Sequence, residues 1–356
     1  MSASLGYAVP TGDFIEEWLD ENGMSQAELA RNLGCTPKHV SKLIHGAPLT
    51  NEFALRLGRV TGIPAERWMQ LETFYRSELA RLELEQDAAE VKSVLKQLPL
   101  KFLRDHGFMS ATLHKPGKAA FEALTFYRAG TLEVLKEQVA APAHAMAFRQ
   151  SATLDWAARV TWLRMVEVEA ATVDIEVPYD KEGLRELLPT LRGLTRESPE
   201  KYGAAMVELL ASVGVQLVFV HAVPKAGIYG MARWFQGRPL IALSLHRRSE
   251  DQLWFTLFHE VCHLLEHELT PGGFVSGEWE DGSLEEEANR FAGELLIPSK
   301  YAVRLRLLKS LDDVRSFAED IDIAPGIVVG RLHREEFWGY DKGHGLVQKL
   351  VLVDDE

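Results

Sequence analysis

The sequence predicts a mostly helical α+β protein, and three observations along the chain support that fold class. Residues 12–80 form a series of short amphipathic patterns separated by Ser, Thr, Pro and Gly residues, as expected of a small all-helical domain. Near residue 213 the hydrophobic period changes to that of short strands, and two strongly periodic helices follow. We expect an all-α domain at 1–80, a helical connecting region at 81–195 and a domain with a small sheet at 196–356.

Helix start and stop signals are clearest in the first domain. Ser25 and Glu28 have the spacing of a capping box, and Gly34 suits the left-handed turn that ends a helix. Thr36 followed by Pro37 starts the next helix, because a capping hydroxyl precedes a residue that fits the first turn. These signals predict helices at about 13–22, 25–33, 37–45, 51–61 and 65–85.

The C-terminal part is expected to contain the sheet. Segments rich in β-branched and aromatic residues predict strands at 215–221, 228–235 and 239–244, and a further candidate lies at 346–353. Two helices are expected at 251–268 and 284–296, and a helical tail follows at 300–337. The connecting region carries no chemical motif, so we interpret it as a helical spacer.

Composition and charge exclude several classes of protein. A formal net charge of −13 argues against a surface coated with nucleic acid, so any DNA contact must come from a local basic patch. Cys35 and Cys262 are the two cysteines; they fall in different expected domains and indicate a reducing compartment. Residues 1–11 lack the features of a signal peptide, and no apolar run is long enough to span a bilayer. These observations predict a cytoplasmic protein with no membrane segment.

The expected helix at 251–268 contains the pattern H-E-x-x-H at His259, Glu260 and His263. Two histidines four residues apart lie on one helix face, a turn apart, so both imidazoles reach one cation. Glu260 lies at the edge of such a site, where it takes a proton from a metal-bound water. The alternative is an amphipathic helix with surface or core histidines, but its apolar stripe leaves the two histidines together on the opposite side. We predict a metal site that binds zinc, with manganese as an alternative.

A third ligand is expected from the acidic start of the next helix, where Glu285, Glu286 and Glu287 are adjacent. At about 100° per residue, Glu286 points to solvent, whereas the other two lie on opposite borders of the apolar stripe. The angles leave both open as ligands. Asn289, one turn after Glu285, is a candidate to orient a carboxylate or a histidine. His267 is a similar supporting group, an extra ligand, or a surface or packing histidine.

Three blocks of this region resemble the ImmA/IrrE metallopeptidases. They are H-E-V-C-H-L-L-E-H at 259–267, E-E-E-A-N-R-F-A-G-E-L-L-I-P at 285–298, and I-A-P-G-I-V-V-G-R-L at 323–332. The blocks stand in the order that the family shows, and the resemblance covers roughly residues 205–335.

The resemblance implies a zincin-like peptidase domain and specific roles for its residues. It implies that His259, His263 and Glu285 hold the metal and that Glu260 is the catalytic acid/base. It also implies cleavage of a helix-turn-helix repressor of stress, mobile-element or damage-response genes. Position 262 is more usually glycine or alanine in this family, so Cys262 raises the question of redox sensitivity.

Residues 10–80 resemble the XRE-type helix-turn-helix of HigA-like antitoxins, an arrangement that also occurs in the ImmA/IrrE group. The resemblance rests on 25–30, 36–46 and 54–57. It implies that 37–45 enters the major groove of operator DNA and that the protein is a homodimer. The candidate DNA contacts are Gln26, Thr36, Lys38, His39, Ser41 and Lys42.

Charge gives this DNA-binding prediction limited support. Between residues 31 and 67, six Lys and Arg residues stand against two acids, but the first helix carries five acids of its own. A helix-turn-helix that serves protein–protein contact is therefore the alternative.

Three functions from different classes are compatible with the sequence. The first is a metal-dependent endopeptidase and transcriptional regulator that cleaves an XRE-type repressor. The second is a DNA-binding, antitoxin-like repressor whose peptidase domain senses a signal with little turnover. The third is a metallohydrolase for small molecules, which only the resemblance disfavours.

The complete set of His259, Glu260, His263 and an acidic ligand favours catalysis. For a peptidase we expect 228–235 or 239–244 to form an exposed sheet edge beside the metal, because strand addition holds a substrate extended.

Overall fold

A computed structural model describes residues 8–86, 88–140, 155–269, 273–277 and 282–352. The chain divides into two compact units, Met1–Lys136 and Glu137–Glu356. The expected connecting region, 81–195, is shared between these units, and the three-part division stays a prediction.

Within the described ranges the chain is mainly helical with one small sheet, which confirms the expected fold class. The first nine helices are α1 Thr11–Glu21, α2 Gln26–Leu33, α3 Pro37–Ile44, α4 Asn51–Thr61, α5 Ala65–Gln86, α6 Ala88–Leu95, α7 Leu100–Asp105, α8 Pro116–Tyr127 and α9 Leu132–Val139. The later helices are α10 Trp156–Ala170, α11 Lys181–Gly193, α12 Pro199–Ser212, α13 Glu250–Glu266, α14 Ser283–Leu296, α15 Ala302–Arg306, α16 Leu311–Asp320 and α17 Pro325–Arg334. Short 3-10 turns occur at Leu194–Arg196, Ser299–Tyr301 and His344–Leu346. The strands are β1 Gln216–Val220, β2 Ile228–Phe235, β3 Arg238–Ser244 and β4 Phe274–Gly277. None of the described helices combines the length and apolarity needed to cross a membrane.

Local capping interactions fix the first helices. The Ser25 hydroxyl accepts a hydrogen bond from the Glu28 N–H (3.2 Å), and the Glu28 carboxylate accepts one from the Ser25 N–H (2.9 Å). Gly34 adopts the left-handed conformation after α2, and Thr36 caps α3 by accepting from the His39 N–H (3.3 Å). The predicted capping box and helix stop are therefore confirmed, and they place α2 and α3 as a helix-turn-helix pair.

A buried carboxylate connects separate segments of this first domain through hydrogen bonds. Glu72 on α5 is 5% exposed and accepts hydrogen bonds from the Thr11 hydroxyl (2.6 Å), the Leu49 N–H (3.1 Å) and the Arg76 guanidinium (2.7 Å). Three donors compensate the cost of burying the charge, so Glu72 links α5 to the start of α1 and to the segment before α4.

The four strands form one sheet in the order β1-β3-β2-β4. β1 runs parallel to β3, and β2 is antiparallel to both of its neighbours. The expected strands at 215–221, 228–235 and 239–244 are confirmed within a residue or two at each end. β4 was not predicted, because four residues carry too short an alternation to be distinguished from a loop.

The expected strand at 346–353 is wrong for the residues that the structure describes, and residue 353 lies outside them. Only an isolated bridge joins Lys349 to Ser249. Two backbone hydrogen bonds hold this segment, from the Glu250 N–H to the Gln348 carbonyl (3.0 Å) and from the Leu350 N–H to the Arg248 carbonyl (2.9 Å). The Glu250 carboxylate accepts a third from the Gln348 N–H (3.1 Å), and the pairing does not extend into a strand ladder.

The expectation that β2 or β3 forms an exposed edge is also wrong. Each has a strand on both sides, and six of the seven residues of β3 are buried. β4 pairs with β2 alone among the described strands, so it forms the edge on that side of the sheet.

Helix α13 lies at the centre of the second unit, where it packs on β2, β3, α14 and α17. Trp254 and Phe258 of this helix are fully buried, and the Trp254 ring lies 5.1 Å from that of Tyr202 on α12. The sequence predicts one apolar stripe, but the opposite face is buried as well, since His259 is 4% exposed and His263 is fully enclosed. Polar groups buried on a core helix require partners, and α14 supplies them.

Arg192 of α11 fixes the C-terminal end of α14. Its guanidinium donates to the carbonyls of Leu295 (2.9 Å) and Leu296 (3.0 Å), which have no partner within the helix, and to that of Ile321 (2.7 Å). This cap holds α14 in place beside α13.

Candidate metal centre

Two histidines of α13 and one glutamate of α14 converge on a single point. The Nε2 atoms of His259 and His263 lie 3.1 Å apart. The Glu285 carboxylate lies 3.0 Å from the first of these atoms and 3.2 Å from the second. Histidines four residues apart share a helix face, and the packing of α14 brings the carboxylate over that face.

This donor set fits a divalent metal such as zinc. Ligand atoms of a tetrahedral zinc site lie roughly 3.3 Å apart, because each bond is about 2.0–2.2 Å long. The three separations, between 3.0 and 3.2 Å, approach that spacing. Two imidazoles and one carboxylate are also a ligand set of catalytic zinc sites, in which a fourth position serves water or substrate.

The pKa values of two candidate ligands, Glu285 and His263, favour the forms that bind a metal. Burial by itself raises the pKa of Glu285, but hydrogen bonds and charge interactions with His259 and His263 outweigh it and lower the pKa to about 2. Burial lowers the pKa of His263, and the Glu285 carboxylate opposes this only in part. An ionised carboxylate and a neutral imidazole are the protonation states that coordination requires.

Each histidine is oriented through its other nitrogen. His259 Nδ1 lies 3.2 Å from the Asn289 side-chain oxygen, and His263 Nδ1 lies 2.8 Å from His267 Nδ1. The second nitrogen of His267 lies 3.4 Å from the Glu287 carboxylate. The His267 side chain is 3% exposed, so it is not a surface histidine, and the packing and supporting alternatives both fit its burial. Such contacts fix the tautomer and the ring plane of a metal ligand.

Glu260 is fully buried beside this centre, and neither carboxylate oxygen has a hydrogen-bond partner among the described residues. Burial raises its pKa well above the usual value; the nearby Ser276 hydroxyl offsets part of this effect, and the Glu285 charge adds to it. An enclosed carboxylate without partners is costly for stability, and costs of this kind concentrate at functional sites.

The strand β2 passes close to Glu260 because residue 230 is glycine. A Cβ at Gly230 would lie 2.6 Å from Glu260 Oε1 and 2.6 Å from Thr256 Cγ2. Both side chains are buried, so a Cβ at this position would force Glu260, Thr256 or the strand itself to shift. The motif gave no indication of this requirement.

We expect Gly230→Ala to lose about 1–3 kcal/mol of stability through overpacking and to lose most activity by displacing Glu260. Urea unfolding and peptide cleavage measure the two effects. Gly203→Ala is the matched control, because a Cβ on that helical glycine meets no atom within 4 Å, and it should be neutral or slightly stabilising. Equal stability and activity of the two variants would show that the contact at Gly230 is not restrictive.

Sequence reasoning also missed the contribution of β4. The Phe274 ring stacks on His263 with centroids 4.2 Å apart, and the Ser276 side chain lines the same cleft as His259. Gly273 before the strand was the available signal, but it indicates a turn more readily than a strand.

The question of redox sensitivity at Cys262 is answered by its surroundings. The residue has no exposed surface, and burial raises the pKa of its thiol to about 12. Reactive cysteines are exposed and have a lowered pKa, so Cys262 is a packing residue.

The candidate DNA contacts lie on the helix-turn-helix pair of the first unit, with Gln26 on α2 and the others at the start of α3 or within it. Lys38, His39 and Lys42 are exposed on α3, Thr36 is its cap, and Ser41 and Gln26 are half-buried. The His39 ring lies 4.6 Å from that of Phe53, so its imidazole is partly engaged.

Comparison with known proteins agrees with both parts of this description. The family model described as the IrrE N-terminal-like domain, Peptidase M78, matches residues 214–333, and a helix-turn-helix model matches residues 15–68. The chain is similar to the uncharacterized HTH-type transcriptional regulator YddM of Escherichia coli (strain K12), at 34% identity over 87 residues, which are 24% of this chain and 90% of that protein. The chain therefore carries a metallopeptidase-type domain of the IrrE-like Peptidase M78 family and, through its N-terminal domain, belongs to the HTH-type transcriptional regulators.

Proposed function

We propose that the protein is a metal-dependent endopeptidase that cleaves an XRE-type helix-turn-helix repressor and regulates transcription through its own helix-turn-helix domain. The observation that carries this proposal is the convergence of His259, His263 and Glu285 beside the buried carboxylate of Glu260. A domain that only sensed a signal would gain nothing from an unpartnered, buried Glu260, because the residue costs stability.

The three converging residues would hold a zinc or manganese ion, which supplies a Lewis acid for the peptide carbonyl and acidifies water. Glu260 accepts the proton of the attacking water and delivers it to the leaving amine. Asn289 keeps the His259 ring in place, and His267 does the same for His263. The low-dielectric surroundings of Glu260 strengthen its interaction with any positive charge at the centre.

The substrate would bind as an extended segment along β4. This strand has β2 as its partner among the described strands, and its Ser276 lines the cleft beside His259. Main-chain pairing at a sheet edge holds a peptide straight and presents its carbonyls at regular intervals. We therefore assign the substrate-pairing edge to β4, whereas the sequence led us to expect it at β2 or β3.

The decisive experiment incubates the purified protein and zinc with helix-turn-helix repressors encoded beside its gene, followed by intact-mass analysis. We expect one repressor to be cut into two fragments whose masses sum to the substrate plus water. A sample with a chelator is the control, and it should leave the repressor intact. Failure to cut any of them, together with metal-dependent changes in DNA binding, would favour the sensor function.

We further propose that the N-terminal domain binds a palindromic operator as a homodimer, which places the protein in the cytoplasm with its DNA. Lys38→Ala and Lys42→Ala should each weaken binding to the DNA upstream of its own gene and reduce the salt dependence by about one phosphate contact. Titrations of the full chain at several salt concentrations measure both effects. Lys101→Ala removes an exposed lysine of α7, outside the helix-turn-helix, and serves as the control.

Unchanged binding curves for both Lys38→Ala and Lys42→Ala would assign the domain to protein–protein contact.

A further inference from the structure

The cleft beside the metal centre carries more arginines than carboxylates, although the chain as a whole is acidic. The cleft has a volume of about 420 Å³, and Arg247, Arg331 and Arg334 lie on its wall. Apart from Glu285, its wall holds one acidic residue among those described, Asp251. Such a local excess of basic groups in a protein with a net charge of −13 favours an anionic partner.

The arginines differ in how far their guanidinium groups are already engaged. Arg331 donates to the Glu335 carboxylate (2.8 Å), and Arg247 donates to the Tyr229 hydroxyl (3.2 Å). Arg334 makes no hydrogen bond or ion pair with any residue that the structure describes. Its guanidinium carbon lies 4.4 Å above the centre of the Phe255 ring. Arg334 therefore offers a full set of donors on a fixed aromatic support.

Arg334 is close enough to the metal centre to contact a substrate. Phe255 precedes His259 by one turn of α13, and the two rings lie 6.3 Å apart. Together the two stacking distances place the guanidinium carbon within about 11 Å of the His259 ring. An extended peptide advances about 3.3 Å per residue, so a side chain two or three residues from the scissile bond reaches Arg334.

Asp251 does not neutralise this arginine. Its carboxylate packs against α17, where a Cβ on Gly330 would lie 2.3 Å from Oδ2, and its other oxygen is buried without a partner among the described residues. No ion pair joins it to Arg334 in that part of the chain. The outcome that competes with carboxylate recognition is a substrate lysine that pairs with Asp251.

We infer that the cleft selects substrates carrying a carboxylate within about three residues of the scissile bond, with Arg334 as the recognising residue. The inference rests on the proposed peptidase function and adds the chemistry of its substrate. The planar guanidinium matches a carboxylate with two parallel hydrogen bonds, and stacking on Phe255 limits the conformational freedom lost on binding. The carboxylate belongs to an Asp or Glu side chain within the peptide; a free C-terminus has the same chemistry.

Binding of peptide hydroxamates to the zinc-loaded full chain tests the proposed role of Arg334 without requiring cleavage. Two series of probes are compared by fluorescence anisotropy, one with the peptide on the N-terminal side of the hydroxamate and one with it on the C-terminal side. Within each series the probes differ only in whether the third residue from the hydroxamate is Glu, Gln or Lys. We expect the Glu probe of one series to bind about 10- to 100-fold more tightly than its Gln partner. Arg334→Ala should reduce this ratio to about one. Arg306→Ala should retain the ratio, because Arg306 stacks on Phe337 in the same way but outside this cleft.

Each other outcome removes the inference. Equal binding of Glu and Gln probes to the wild-type chain, or a ratio that survives in Arg334→Ala, would show that Arg334 does not read a carboxylate. Tighter binding of the Lys probe would assign recognition to Asp251. A preference seen only when a Gln probe ends in a free carboxylate would identify a chain terminus as the ligand and overturn the side-chain assignment.

The proposed function and this inference fail separately. Cleavage of a repressor without any Glu preference keeps the peptidase and removes the role of Arg334. A Glu preference in binding, with no repressor cut, keeps the anionic subsite and removes the peptidase. Absence of binding by every hydroxamate overturns both, since the metal centre would then be inaccessible.

Discussion

Glu285→Ala is expected to lose bound zinc and peptide cleavage together. The Glu285 carboxylate contacts both imidazole Nε2 atoms, at 3.0 and 3.2 Å, and its low pKa keeps it ionised. Without it, two histidines are left as protein ligands, and catalytic zinc sites use three. Metal content after gel filtration and cleavage followed by intact mass measure the two losses.

The neighbouring glutamates provide matched controls. Glu286 is exposed, so Glu286→Ala should keep full metal content and activity. Glu287 lies 3.4 Å from His267, which in turn contacts the ligand His263. The effect of Glu287→Ala should therefore be mild. We expect metal affinity to fall by roughly tenfold, the lower end of the range seen when a group that orients a metal ligand is removed. Stoichiometric zinc in Glu285→Ala, with loss only in Glu287→Ala, would show that the other carboxylate is the ligand.

Glu260→Gln is expected to retain the metal and the fold but to cut its substrate roughly 10²- to 10⁴-fold more slowly. The ligands are untouched, and glutamine has the shape of glutamate but does not accept the proton. Because burial raises the pKa of Glu260 well above its unfolded value, the ionised carboxylate destabilises the metal-free fold as pH rises past the usual carboxyl range. The neutral amide removes that cost, so the metal-free variant should be at least as stable as the wild type at neutral pH.

Glu266→Gln is the control for this substitution on the same helix. Glu266 forms an exposed ion pair with Arg185 (3.0 Å) at the end of α13 and is not one of the converging residues. Surface pairs contribute little, so this variant should retain wild-type cleavage and stability. Cleavage by Glu260→Gln at a rate near that of Glu266→Gln would refute the assignment of Glu260 as the acid/base.

The sequence by itself determined the features that depend on residues close together in the chain. The capping box of Ser25 and Glu28 and the stop at Gly34 predict α2, because their interactions are completed within a helix turn. The pairing of His259 with His263 follows in the same way from the helical period. The strands at β1 to β3 were predictable because each is long enough to show its composition.

The tertiary structure decided everything that depends on contacts between distant segments. The angles on α14 left Glu285 and Glu287 open as candidate ligands. The packing of α14 on α13 brings Glu285 to the imidazoles of His259 and His263, and Glu287 to His267. It also decided that β4, instead of β2 or β3, forms the sheet edge beside the site.

Gly230 and Arg334 could not be singled out from the sequence either, because their importance arises from neighbours far away in the chain. A Cβ at Gly230 would meet Glu260 on α13, and the Arg334 guanidinium stacks on Phe255 of that same helix. A local pattern records the period and the ends of an element. The partners of that element are set by the packing of whole elements, which minimises cavities and buries polar groups against one another. No single stretch of sequence contains that information.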